Sequence, residues 1–160
     1  MDHPLKNNSS IQFSILSNFV ASPRVLMDPA DDRGSGARPA TSWDNSAQGG
    51  LLHPAYGNNS VSYFVGLDAN FSTPNSLFSG DRNLKHDGIS GCSSGIAPAA
   101  ALARRPNAMC AWTNAVHGLS GNVLLYDGTV HEVDTAALRQ VIFAPSGFDD
   151  VSVYHALFPF

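Results

Sequence analysis

Apolar residues recur at helical spacing near the start of the chain, where Ile11, Ile15, Leu16, Phe19 and Val20 fall close to one face. They predict one short amphipathic helix, with Ser9 and Gln12 in the positions of a capping box and an end before Ser22-Pro23. Its apolar face is expected to cover a sheet. Strand period then takes over. Residues 24–27 read as a short strand closed by Asp28-Pro29-Ala30-Asp31-Asp32. Residues 60–67 alternate, with Val61, Tyr63 and Val65 on one side and Ser62, Phe64 and Gly66 on the other; Gly66 would permit a bulge. A further strand is expected over 77–84. Asp134 stands where it can cap a helix over 135–143, striped by Leu138, Val141 and Ile142 and ended by Pro145-Ser146-Gly147. The tail 151–160 is strongly β-prone and apolar. It reads as the edge of the chain's own sheet or, slightly less well, as a strand donated to a neighbour.

The most structured stretch is 110–134, which predicts a three-stranded meander. Runs over 112–116 and 122–126 are joined by Gly118-Leu119-Ser120-Gly121, and Asp127-Gly128 turns the second run into a third over 129–133. Asp-Gly is a hairpin signal because a type I′ turn needs positive φ at both central positions. If 122–126 is extended, His117 and Asp127 lie about 16 Å apart at opposite ends of the strand. They are therefore not a catalytic pair. His117 is expected to anchor the first loop, with a ligand or base role as the lesser alternative, and Asp127-Gly128 to make the second turn.

His117, nine residues and then Asp127-Gly128 resembles the His-x9-Asp-Gly signature of a bacterial family of prepilin-like proteins, abundant in planctomycetes and verrucomicrobia and related to type II secretion pseudopilins. Ser62-Tyr63-Phe64-Val65-Gly66-Leu67-Asp68-Ala69 and Gly80-Asp81-Arg82-Asn83 look like its central segments. Ser22-Pro23-Arg24-Val25-Leu26 with Pro29-Ala30-Asp31 looks like its early strand and turn. The resemblance implies a pilin-like α+β fold: a short N-terminal helix packed on a mostly antiparallel sheet with long loops. Segment 1–22 then corresponds to the tail of the family's long first helix. It also makes Asp81-Arg82 a family feature, read physically as a partly buried ion pair or a charge that fixes a neighbouring loop. Family members often carry a cysteine where Met27-Asp28 stands here.

At 160 residues the chain is the size of one ordinary domain, taken as 1–160, with loop-rich excursions over 31–59 and 86–109. A short helical turn over 97–105, around Pro98, is expected in the second. The nine Lys and Arg form no basic stripe, which argues against a nucleic-acid partner. Cys92 and Cys110 are separated by seventeen residues. They are either a disulfide, contributing roughly 3 kcal/mol in an oxidising compartment, or two buried thiols. The run from Ile11 to Ala21 is eleven residues long and broken by polar groups, against the roughly 20 apolar residues that span a bilayer. The family's leader and long hydrophobic helix are thus not seen. Membrane contact is expected only if such a helix precedes this chain.

No nucleophile elbow, Walker loop or His-Glu-x-x-His motif occurs, and the six histidines are dispersed, so no catalytic residue and no cofactor is expected. Asp28, Asp31 and Asp32 offer hard oxygen ligands for calcium, but their spacing does not fit an EF-hand loop and a solvated turn is the favoured reading. The resemblance, together with the apolar first helix and last strand, implies a structural, self-associating subunit at the cell surface, in the periplasm or outside the cell. Its partners are expected to be other copies of itself or other pseudopilins. The expected assembly surface is Ile11, Ile15 and Phe19 together with Tyr154, Leu157, Phe158 and Phe160. The alternative is an exported calcium- or polysaccharide-binding module using Trp43, Tyr56 and the Asp-rich turns.

Overall fold

The computed structural model describes residues 9–33, 36–86, 100–103, 110–143 and 153–159. A short helix α1 (Ser9–Phe13) continues as a 3-10 helix over Ser14–Asn18, and further 3-10 turns follow over Pro23–Leu26 and Gly57–Ser60. The strands are β1 (Tyr63–Gly66), β2 (Leu77–Asp81), β3 (Leu84–His86), β4 (Ala100–Ala103), β5 (Cys110–Trp112), β6 (Ser120–Leu125), β7 (Val130–Asp134) and β8 (Val153–Leu157), with α2 (Thr135–Phe143) between the last two. Six of them form one antiparallel sheet in the order β4-β8-β1-β2-β6-β7, and β3 pairs with β5 in a separate ribbon. The chain is α+β.

Two apolar clusters sit on the two faces of this sheet. Phe64, Leu77, Val123, Leu125, Tyr154 and Ala156 meet Trp112 from β5 and Leu138 and Ile142 from α2 in the larger one. Leu26, Ala40, Leu51 and Val61 form the smaller, with Phe13, Leu16, Trp43, Tyr56 and Tyr63 packed against it. Strand β1 serves both, because successive side chains point to opposite faces: Tyr63 belongs to the small cluster and Phe64 to the large.

A one-residue irregularity in β2 sets the rest of the geometry. Leu77 pairs with Leu125, yet Ser79 pairs with Leu124, so the register shifts between them. Without that shift Leu77, Ser79 and Asp81 would share a face. With it, Gly80 turns toward the large core, where an added Cβ would lie 2.9 Å from the Phe64 ring. Asp81 then pairs with Tyr63 on the opposite face. The sequence places a bulge at Gly66 instead. There the glycine serves a close approach: a Cβ would collide with the Tyr154 hydroxyl, which donates to the Leu77 carbonyl.

Several sequence expectations are corrected. Residues 24–27 do not form a strand, because Pro23 opens a 3-10 turn and the Ser22 hydroxyl accepts from the Arg24 amide at 3.3 Å. Ser9 lies inside α1 and its hydroxyl donates to Asn58 Oδ1 at 3.1 Å, in place of a capping box. The α-helix gives way to 3-10 geometry where the Ser14 hydroxyl bonds back to the Ile11 carbonyl at 2.6 Å, a local competitor to the helical ladder. The first leg of the meander pairs elsewhere, since β5 joins β3 while only β6 and β7 form a hairpin. Residues 100–103 are strand β4 on β8, not a helical turn. The stretch 31–59 is more than a surface excursion, since it buries Ala40 and Leu51. By contrast α2 covers 135–143 and begins as predicted, with Asp134 Oδ1 accepting from the Ala137 amide at 2.8 Å; its expected stop at Pro145-Ser146-Gly147 lies outside the described residues.

Strand β8 lies inside the sheet between β4 and β1, so the tail pairs with its own chain. Tyr154, Leu157 and Phe158 are buried, which removes them from the expected assembly surface. Phe160 and Cys92 lie outside the described residues, and with Cys92 the expected disulfide. Cys110 is buried, and burial pushes its thiol up to about 12 against the opposing charge of Arg139.

Gly121 packs against the face of the indole, and a Cβ there would lie 2.7 Å from the Trp112 ring. Gly121→Ala is expected to cost about 2–3 kcal/mol through overpacking. Gly118→Ala meets no atom within 4 Å but sits at φ +68°, and is expected to cost about 1 kcal/mol from backbone strain alone. Urea midpoints of the two variants check this order.

Candidate functional site

Three consecutive residues at the end of β2 send their side chains to three different partners. Asp81 Oδ2 accepts from the Asn122 amide at 2.6 Å and from Asn122 Nδ2 at 3.2 Å. Arg82 forks onto Asp31: Nε donates to Oδ2 at 2.6 Å and Nη2 to Oδ1. Asn83 Nδ2 donates to the carbonyls of Thr113, at 2.9 Å, and Ser120, at 3.3 Å, which sets the path of the loop from β5 to β6. The expected Asp81–Arg82 ion pair is therefore not formed between these two neighbours. Each instead holds a different segment against the sheet, closer to the alternative of a charge fixing a loop.

Asp31 is the hub of the second segment. Its side chain is fully buried, and it also accepts from the Ser62 hydroxyl at 2.7 Å and lies 3.1 Å from Arg33 Nη2. Arg33 in turn donates to the carbonyls of Asn58, at 3.0 Å, and Val61. Burial alone would raise the Asp31 pKa. The hydrogen bonds from Arg82 and Ser62 and the charges of Arg33 and Arg82 outweigh it, and the net shift is downward.

Asp81 is less well compensated. It is wholly buried, and Oδ1 has no hydrogen-bond partner. Burial raises its pKa; the Asn122 amide and the His117 ring oppose that, while Asp28 adds to it. His117 Nε2 lies 2.9 Å from Asp28 Oδ2 and 3.6 Å from Asp81 Oδ2. Asp28, Asp81 and His117 thus converge, with one donor atom from each within 4.8 Å of the others. Asp28 is oriented by the Ala30 amide, which donates to Oδ1 at 2.7 Å, and its own amide donates to the Ser62 hydroxyl at 3.0 Å. The phenol of Tyr63, pushed up to about 12 by burial and by the charges of Asp28, Asp81 and Asp31, borders the same group.

His117 anchors its loop as expected, and it does so across the chain, to the turn that follows the first 3-10 segments. Its backbone carbonyl accepts from the Ser120 hydroxyl at 3.0 Å. Asp127 is a separate device. It is exposed, its Oδ1 accepts from the Thr129 amide at 2.9 Å and hydroxyl at 2.7 Å, and Gly128 takes φ +86° to close the β6–β7 hairpin. Those hydrogen bonds lower its pKa.

The calcium set proposed from sequence does not assemble, because Asp31 is committed to two arginines and Asp28 points to His117. Asp32 is exposed. Trp43 and Tyr56 pack, half-buried, on the small cluster, the Trp43 indole donating to the Val20 carbonyl at 2.9 Å. Sequence reasoning did not find Ser62, Arg33 or Asn83 as parts of the site. Asn83 and Ser62 carried a signal, standing in the Gly80-Asp81-Arg82-Asn83 and Ser62-Tyr63-Phe64 runs; Arg33 carried none.

Comparison of the chain with protein-family models, characterised proteins and solved structures finds no match.

Arg82→Ala would leave Asp31 buried beside Arg33 alone and is expected to cost about 3 kcal/mol. Arg82→Lys should recover only part of this, lacking the planar fork. Because the folded pKa of Asp31 is depressed, its contribution is complete above the unfolded carboxylate value and is lost as pH falls through the folded one. Urea unfolding across an acid pH series should show this loss in the wild type and a flatter acid limb in Arg82→Ala.

Proposed function

We propose that the chain is a structural, self-associating subunit with a pilin-like architecture, working in an extracellular filament or a secretion pseudopilus at the cell surface. In this reading it performs no catalysis. The observation that carries it is the N-terminal helical segment. Phe13 and Leu16 rest on the small core, while Ile15 and Phe19 point outward with 68% and 82% of their surface exposed. Val25, on the next turn, is 57% exposed. An isolated apolar side chain on a surface is ordinary, but three on one short stretch of chain favour contact with a neighbour. Pilin-like subunits pack through their first helix, and this segment is where that helix's tail would lie. The order of the motif residues along the chain adds support, and so does the antiparallel sheet behind the helical segment. Ile11 is half-buried and contributes less than expected.

The test is assembly. Negative-stain microscopy and sedimentation over a concentration series should show ordered oligomers or filaments of the native protein. Ile15→Asp with Phe19→Asp should raise the concentration needed for assembly by about a hundredfold, corresponding to the loss of two buried apolar side chains. Its urea midpoint should stay unchanged. A chain that is monomeric at every concentration, in cell-surface as well as purified material, would refute the reading.

A further inference from the structure

We propose that Asp28, Asp81 and His117 form a binding site for a divalent transition cation of the zinc class, whether or not the chain self-associates. The three side chains come from segments far apart in sequence: the turn after the Pro23–Leu26 helix, the end of β2, and the loop entering β6. Their donor atoms lie within 4.8 Å of one another, with 2.9 Å and 3.6 Å from the imidazole nitrogen to the two carboxylates. Two ligands on a tetrahedral zinc, each about 2.0–2.2 Å from the metal, stand roughly 3.4 Å apart. The two imidazole–carboxylate distances bracket that value.

Hydrogen bonding within the protein does not account for the arrangement. A single Nε2 proton serves one carboxylate; the 3.6 Å contact to Asp81 is too long for a second bond. Asp81 Oδ1 remains without a partner on a side chain with no exposed surface, and orphaned buried carboxylate oxygens carry a large desolvation cost. A cation held by the Asp81 carboxylate would answer that oxygen and both negative charges together.

Backbone amides already orient both acids from outside the cluster, Ala30 on Asp28 Oδ1 and Asn122 on Asp81 Oδ2. That outer layer of hydrogen bonds is what positions ligating carboxylates in metal sites. Asp31 does not compete, being held by Arg82 and Arg33. The imidazole decides between metals: it suits zinc and its neighbours, whereas calcium takes oxygen ligands in larger number. His117 retains 30% of its side-chain surface and Asp28 12%, so an ion has a route in and a coordination position left for water or an outside ligand.

The full-length chain, stripped of metal by dialysis against chelator, should bind Zn2+ in calorimetry with one-to-one stoichiometry. Co2+ should give visible absorption bands that Zn2+ abolishes, and millimolar Ca2+ should leave them. His117→Ala should weaken Zn2+ binding by at least about a hundredfold, since loss of even an outer hydrogen-bond partner costs 10–100-fold. The exposed His131→Ala should bind as the wild type does. Because Asp81 is buried, Asp28→Asn serves as the second variant: it keeps an acceptor for Ala30 and should lose Zn2+ affinity with its circular dichroism unchanged. No Zn2+ binding by the wild type, unaltered binding by His117→Ala, or Ca2+ bound more tightly than Zn2+ would each overturn the proposal.

Discussion

The buried Asp31–Arg82 pair is the interaction on which the rest of the structure depends. It joins an N-terminal lobe with few regular hydrogen bonds of its own to a sheet that has many. The lobe's apolar cluster is small, four buried side chains with five partly buried ones against it, and contains no strand except β1 at its border. Burial of that size orders a segment only when something fixes its position. The Arg82 fork does so, because two parallel donors define both the distance and the orientation of the Asp31 carboxylate. Arg33 and Ser62 then complete the neutralisation from the lobe and from β1.

The price of using consecutive residues as anchors is that one of them, Asp81, is left with half its carboxylate unanswered. The β2 register shift makes this unavoidable. It places Gly80 under the Phe64 ring, where only glycine fits, and so turns Asp81 to the side of the sheet that the N-terminal lobe covers. Asn122 then approaches along β6 and answers one oxygen with its backbone and side-chain amides, while His117 stands 3.6 Å away from the same oxygen. A buried charge in this condition is either a source of instability or a place for a counter-charge from solution, and the convergence of His117 and Asp28 on it favours the second.

Legibility followed the range of the interactions. The helix over 135–143 could be read from Asp134 and its stripe, the β6–β7 hairpin from Asp-Gly, and the two-faced character of β1 from alternation, because each depends on neighbours in sequence. The pairing of β5 with β3 could not, since it is decided by Asn83 reaching Thr113 and Ser120 thirty and thirty-seven residues away. The same holds for the site. His117 was recognisable as an anchor and Asp81-Arg82 as a charged feature of interest, but what each binds depends on the lobe folding over them. Asp28 and Asp31 look alike in one acidic turn, yet the turn directs one to His117 and the other to Arg82. The buried tail was misread in part for a related reason: an apolar β-prone terminus suits an edge and a sheet interior equally, and only β4 arriving on its far side decides between them.

These contacts also give a physical reason for the nine-residue spacing between His117 and Asp127. The two residues mark the two ends of one strand, each end fixed by contacts with other segments. At the first end His117 is held to Asp28, and at the other the amides of Tyr126 and Asp127 donate to the carbonyls of Ser76, at 2.9 Å, and Pro74, at 3.0 Å. In between, Gly121 must lie against Trp112 and Asn122 must present its amide to Asp81 on the other face. A strand with both ends fixed and opposite duties on successive residues tolerates no slip, because moving the register by one exchanges the faces of every side chain. The interval from His117 to Asp127 is therefore the length of β6 plus its two entries.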